Sequence, residues 1–271
     1  MERLAVLAPA LIPVAYFLGG GVIFLAICAI GKRPRVDRAR RGNAFDFLID
    51  YFIWLIQPIE KGVRALKLTP NHLTLLALLC CAGAGLAIAT RHLATAGWLY
   101  IAAGGLDVLD GRLARASGMS SKSGALLDSV TDRWGELFVF SGFAWFLRDS
   151  AWLLAVLLAI GGSMMVSYTR ARGESLGVKL DGGIMQRAER ITVVAIGTLV
   201  TAWFDAVKET AEYGIPVIGV ALVITGVLAS STAIGRWARG YRLLAEMDAE
   251  EAGQTKSDKA AMSGKLRKVE R

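Results

Sequence analysis

The chain has 271 residues, 54% of them hydrophobic, with a mean hydropathy of +0.47 and long apolar runs along most of its length. This balance excludes an ordinary soluble globular domain and points to an integral membrane protein. A net charge of +8 and a pI of 9.6 do not imply a nucleic-acid partner, because the basic residues cluster beside the apolar runs, as membrane topology requires.

The first apolar run covers about residues 4–30 and is followed by the basic segment GKRPRVDRARR. It is too long for the apolar core of a cleaved signal, so residues 1–43 read as a retained transmembrane helix with a basic cytoplasmic linker. In residues 44–68 the apolar positions Phe45, Leu48, Ile49, Phe52, Ile56, Ile59, Val63 and Leu66 recur at helical spacing, with Asp46, Asp50, Lys61 and Arg64 between them. That pattern predicts an amphipathic helix lying in the membrane interface. Six further apolar runs, at about 73–90, 93–114, 125–147, 151–169, 191–207 and 215–235, bring the predicted transmembrane helices to seven. The connections RARGESLGVKLDGGIMQRAER and RWARGYR are strongly basic, which assigns their side of the membrane to the cytoplasm. Residues 246–271 are polar and charged and read as a flexible tail. Cys28, Cys80 and Cys81 all fall inside apolar runs without metal-ligand spacing and are expected to pack, with neither disulfide nor zinc.

The stretch GGLDVLDGRLARASGMSSKSGALLDSVTDRW places four aspartates among apolar residues. Asp107 and Asp110 are three apart and share a helix face that continues through Gly111, Ala114 and Arg115; Asp128 and Asp132, four apart, share a face of the next helix. The segment ASGMSSKSG between them suits a tight hairpin that brings the two acidic faces together at the cytoplasmic mouth. Four facing carboxylates need cations, and oxygen-only ligands favour Mg²⁺. A pair of ions roughly 3.5–4 Å apart suits transfer at phosphorus. The competing reading pairs these aspartates with Arg112, Arg115, Lys122 and Arg133 in a salt-bridge network. Gly111 and Gly124 serve either close helix contacts or the approach of a flat nucleotide.

The spacing D-x-x-D-G-x-x-A-R, eight residues, then G-x-x-x-D-x-x-x-D resembles the signature of the CDP-alcohol phosphotransferase family, with every fixed position present. The resemblance covers about residues 69–240 and implies an all-α integral membrane fold of six transmembrane helices, the domain 69–245, preceded by an interfacial helix, which leaves residues 1–43 as an addition. It also implies Mg²⁺-dependent displacement of CMP from a CDP-linked lipid, usually CDP-diacylglycerol, by an acceptor hydroxyl, with Mn²⁺ as the alternative ion and a homodimer as the assembly. Carried over by position, Asp107, Asp110 and Asp128 would hold two metal ions, with Asp132 completing the site and acting as base. Gly111, Arg115 and Ser121 would meet the cytidine diphosphate. LTPNHLT also resembles the family's segment before its first core helix, which brings Asn71 and Thr74 near the nucleotide. Helix capping at Pro70 and Asn71 is the alternative there.

SYTRARGESLGVKLDGGIMQRAER is similar to the matching stretch of the phosphatidylinositol-phosphate synthases within that family, which take inositol phosphate as acceptor. Gly173 stands where alanine is usual and Gln186 where glutamate is usual. Arg170, Arg187 and Arg190 would clamp the acceptor phosphate, aided by Ser167, since guanidinium forks match phosphate oxygens. Positive-inside topology competes with that reading, above all for Arg172 and Lys179. The sequence leaves open glycerol phosphate, serine, inositol or a soluble CDP-inositol-type reaction, and a non-enzymatic magnesium-binding membrane protein. The expected setting is the cell membrane, multi-pass, with the site facing the cytoplasm.

Overall fold

A computed structural model describes residues 15–16, 19–30, 45–207 and 213–269, and every regular element among them is a helix. In chain order these are α1 (Gly19–Ala29), α2 (Phe45–Ala65), α3 (Pro70–Ala89), α4 (Leu93–Ser117), α5 (Lys122–Phe146), α6 (Leu153–Ser175), α7 (Arg187–Ala206) and α8 (Gly214–Val269). Each of the six later apolar runs is therefore a helix, and the segment expected as a tail continues α8 in helical form. Much of the first apolar run and the basic linker after it lie outside the described residues.

Three helices among the described residues are long and apolar enough to cross a bilayer: α3, α6 and the Gly214–Gly253 part of α8. Helices α4, α5 and α7 carry the charged residues of the site within otherwise apolar sequences. The six helices α3 to α8 enclose one core, with Ala84, Tyr100, Phe140, Phe143, Val156, Val194 and Leu222 at its centre. Small residues set how closely the helices approach. A Cβ on Gly162 would lie 2.8 Å from the Gly226 carbonyl, and one on Gly226 would lie 2.9 Å from the Ala159 nitrogen, so α6 and α8 touch backbone to backbone.

Helix α2 packs on α4 through Ile56, Val63, Leu109 and Leu113, while Ile59 on its outer side and Leu66 just past its end remain exposed, as an interfacial helix requires. Glu60 stands in the same contact, taking Arg64 at 2.6 Å and Arg112 of α4 at 3.1 Å. Burial works against its charge, but these two guanidinium groups outweigh it and hold the carboxyl below its ordinary value. Helix α1 leans on α2, where Phe24 is buried against Tyr51 and Trp54.

The turn that matters most is the one between α4 and α5. Gly118, at φ 66°, closes α4 in the left-handed conformation that favours glycine. Ser121 then opens α5 by accepting from the Gly124 N–H at 3.0 Å. The predicted hairpin is thus present, and it sets the acidic faces of the two helices against each other.

Candidate active site

Asp107, Asp110 and Asp128 each offer a carboxylate oxygen, and the three atoms lie within 4.8 Å of one another. Adjacent ligands of an octahedral Mg²⁺ are about 3 Å apart and only an opposed pair about 4 Å, so the trio would close by up to about 2 Å on holding such an ion. Two further observations fit a metal. The buried Oδ1 of Asp128 has no hydrogen-bond partner among the described residues, which is costly unless something electropositive meets it. The Thr74 hydroxyl donates to Asp110 Oδ2 at 2.7 Å, the kind of support that orients a metal-binding carboxylate. Asp132 stands outside the trio and pairs instead with Arg187 at 2.9 Å, and the same guanidinium reaches Asp107.

Two cavities meet at this centre. The smaller, about 170 Å³, is lined by Asn71, Thr74, Asp110, Gly111, Arg115, Ser121, Gly124 and Asp128. All five residues expected to contact the donor are therefore brought together. The alternative reading of LTPNHLT is also realised one residue earlier: Thr69 caps α3 with a capping box to His72, and Pro70 opens the helix, which leaves Asn71 free to face the cavity.

The larger cavity, about 570 Å³, lies between α5, α6 and α7 and is lined by Asp128, Asp132, Ser167, Arg170, Arg187 and Arg190 among others. The four residues expected to bind the acceptor are again together, but their settings differ. Arg170 is half exposed and pairs with Glu174 at 2.9 Å and more distantly with Asp181. Arg190 is 2% exposed; its Nε and Nη2 donate to Glu136 Oε1 at 3.0 and 2.5 Å, and its Nη1 donates to the Met185 carbonyl at 3.4 Å. It is anchored in the wall by all three nitrogens.

Three lining residues were not singled out from the sequence. Glu136 continues the i, i+4 ladder of Asp128 and Asp132 along α5, and that spacing was visible. Glu174 and Arg236 were read only as parts of basic connections. Arg236 donates twice to the Gly182 carbonyl, at 3.0 and 2.7 Å, and once to the Val166 carbonyl at 2.8 Å, contacts that no local spacing announces.

The loop joining α6 to α7 is held on one face of α8. Beside Arg236, Arg239 donates to the Asp181 carbonyl at 2.9 Å and Thr232 accepts from the Met185 N–H at 3.1 Å. Gly183, at φ 117°, lies directly on the Thr232 side chain. Leu180 fills the space between Gly173 and Gly240, whose added Cβ atoms would come within 2.5 and 2.9 Å of it. The glycine at position 173, unusual for the resembled pattern, is thus matched by a leucine. In the same loop Lys179, 3.0 Å from Asp181, holds that exposed carboxylate below its usual range.

Fold and site together define an all-helical membrane enzyme built around a carboxylate centre suited to a divalent metal. The family model of the CDP-alcohol phosphatidyltransferases matches residues 67–230, and residues 1–66 precede it. The phosphatidylinositol phosphate synthase of Corynebacterium glutamicum is 36% identical over 149 residues, covering 53% of this chain and 68% of that protein. The archaetidylinositol phosphate synthase of Methanothermobacter thermautotrophicus is 36% identical over 153 residues, covering 55% and 76%. The crystal structure of Mycobacterium tuberculosis phosphatidylinositol phosphate synthase with CDP-DAG bound superposes with a TM-score of 0.59 at 27% identity, over 68% of this chain and 92% of that one. The same enzyme in complex with manganese and citrate gives the same score. The chain belongs to the CDP-alcohol phosphatidyltransferase family and is an enzyme of that type.

Proposed function

We propose that the protein transfers the phosphatidyl group of CDP-diacylglycerol to a hydroxyl of inositol phosphate, releasing CMP. The observation that carries this reading is Asp128, which lines both cavities, so that a donor in the smaller and an acceptor in the larger meet at one carboxylate centre. Asp107, Asp110 and Asp128 would hold Mg²⁺ or Mn²⁺, with Asp132 completing a two-ion site; when bound, the ions neutralise charge on the donor diphosphate. Asn71, Thr74, Gly111, Arg115 and Ser121 seat the cytidine diphosphate portion. Arg170 and Arg187 present guanidinium groups to the acceptor phosphate, Ser167 adds a hydroxyl, and Arg190 contributes charge from its fixed place in the wall. Asp132 takes the proton of the attacking hydroxyl as its oxygen bonds to the phosphatidyl phosphorus; the bond from that phosphorus to the bridging oxygen breaks and CMP leaves.

The reading extends to the membrane. Exposed Tyr168, Trp237 and Tyr241 near the site and exposed Trp145, Trp203 and Tyr213 at the far helix ends fit the two aromatic levels of a bilayer. They support six crossings by α3 to α8, with the basic site end facing the cytoplasm of the cell membrane. The outward stripe Leu126, Val130, Trp134 and Phe138 on α5 offers an apolar surface for lipid or for a second copy in a homodimer. Purified protein given CDP-diacylglycerol and Mg²⁺ should release CMP with inositol phosphate and far less with glycerol phosphate, serine or inositol. Equal or better turnover with any of those three would refute the assigned acceptor. No CMP release with any acceptor would refute the reaction.

A further inference from the structure

Arg187 occupies the first position of α7, directly after the extended Gln186, and this places its guanidinium between α4 and α5. It pairs with Asp107 on one helix and with Asp132 on the other, while its buried Nε and Nη1 have no hydrogen-bond partner among the described residues, so the Nη1 arm meets Asp107 as an ion pair alone. The same side chain lines the large cavity and a third, much smaller one of about 10 Å³ that Asp107, Asp110 and Asp132 also line. Asp107 is also a member of that trio. A divalent ion and the guanidinium therefore draw on one carboxylate, and two cations a few ångströms apart in a protected site repel each other. Arg190, three residues on, differs: it answers to Glu136 and the Met185 carbonyl and touches no member of the trio.

We infer that Arg187 couples the two halves of the site: a divalent ion that takes Asp107 loosens that arm of the guanidinium, which then turns to the anionic acceptor in the large cavity. The inference rests on the proposed metal and acceptor sites. It makes metal and acceptor mutually reinforcing ligands, and linkage requires the factor to be the same in both directions. The reaction then has a built-in order, because the acceptor site gains its free guanidinium only once the metal centre is filled.

The test uses the full chain in lipid nanodiscs, with Mn²⁺ affinity read by electron paramagnetic resonance and inositol phosphate affinity by calorimetry, each with and without the other ligand. In the wild type each ligand should tighten the other by at least about 5-fold, the lower end of ordinary coupling. Arg187→Gln should bind Mn²⁺ more tightly than the wild type in the absence of inositol phosphate, and the coupling should fall to within about 2-fold, well below that range. Arg172→Gln removes an equal charge from the exposed last turn of α6, where no ligand contact is assigned, and should leave both the Mn²⁺ affinity and the coupling as they are. Arg187→Lys retains a charge with a single arm, and its coupling should also be reduced, which guards against an effect of misfolding in the glutamine variant. Wild-type coupling in Arg187→Gln, or equal effects of Arg187→Gln and Arg172→Gln, would overturn the inference while leaving the proposed reaction in place. Absence of Mn²⁺ binding in the wild type would instead sink the metal site and the inference with it.

Discussion

Replacing Glu136 by glutamine leaves Arg190 as a buried cation facing a neutral amide. The two side chains are 3% and 2% exposed, and a single carboxylate oxygen receives two guanidinium N–H groups. Removing one partner of a buried pair costs about 3–5 kcal/mol, since the surviving charge cannot regain water. The amide oxygen of glutamine still accepts a hydrogen bond, so the lower end, about 3 kcal/mol, is expected. Glu174→Gln is the internal standard. Its pair with Arg170 is similarly short, 2.9 Å, but both side chains are about half exposed, and such a pair contributes about 0–1 kcal/mol. Denaturant unfolding of both variants in the same micelle should therefore separate them by about 2 kcal/mol or more. Glu136→Asp, which keeps the charge, should recover part of the loss. Where Glu136→Gln stays folded, the apparent KM for inositol phosphate should rise while that for the CDP donor holds, because only the wall of the larger cavity has been released. A Glu136→Gln variant no less stable than Glu174→Gln, with an unchanged acceptor KM, would show that Arg190 does not depend on this carboxylate.

Asp132→Asn should retain CDP-diacylglycerol binding and lose about 10²–10⁴-fold in turnover, the usual contribution of a general base; CMP release near the wild-type rate would remove Asp132 from that role. Asp107→Asn and Asp110→Asn each remove a charged ligand, so Mn²⁺ affinity itself should fall, and an unchanged metal titration in both would count against the trio. Gly173→Ala places a methyl group 2.5 Å from Leu180 and should raise the acceptor KM, with Leu180→Ala in the same chain restoring it; no rescue by the second substitution would mean that the packing of Leu180 does not set the loop. Glu60 titrates below its ordinary value of 4.5 in the folded protein, so the stability it contributes is present above that value and is lost as pH falls through the lowered one. The stability gap between wild type and Glu60→Gln should accordingly close in that acidic window, and a gap independent of pH would show that the Arg64 and Arg112 contacts are not ionic.

Periodicity alone was enough for the helices, because a membrane helix must satisfy its backbone internally and announces itself as an apolar run. It was also enough for the pairing of Asp107 and Asp110 with Asp128, since spacings of three and four dictate a shared face and the small polar segment between them permits only a short return. Boundaries were less legible. Helix α5 begins at Lys122, ahead of its apolar run, because the Ser121 cap fixes its start, and α7 begins at Arg187 rather than where its charges end. Glu136 was readable in principle as the next rung after Asp132. Arg236 was not, because its partners are carbonyls of Val166 and Gly182, far away in sequence and carrying no side-chain signal.

The sharpest limit of sequence reasoning lies in the difference between Arg187 and Arg190. Spacing places both on one face of α7 and assigns both to a phosphate, yet one meets Asp107 and Asp132 while the other meets Glu136, a helical turn further along α5. What separates them is depth, the level at which α7 enters the bundle. That level is set by the preceding loop, and the loop is fixed by contacts to α8: Thr232, Arg236 and Arg239 on its backbone and Gly240 beside Leu180. A shift of α7 by one turn would carry Arg190 to Asp132 and leave Glu136 buried without a cation, at a cost of several kcal/mol. The division of labour between the two arginines, one free to answer the metal and one fixed in the wall, is therefore decided by α8, from residues that the sequence offered only as markers of membrane topology.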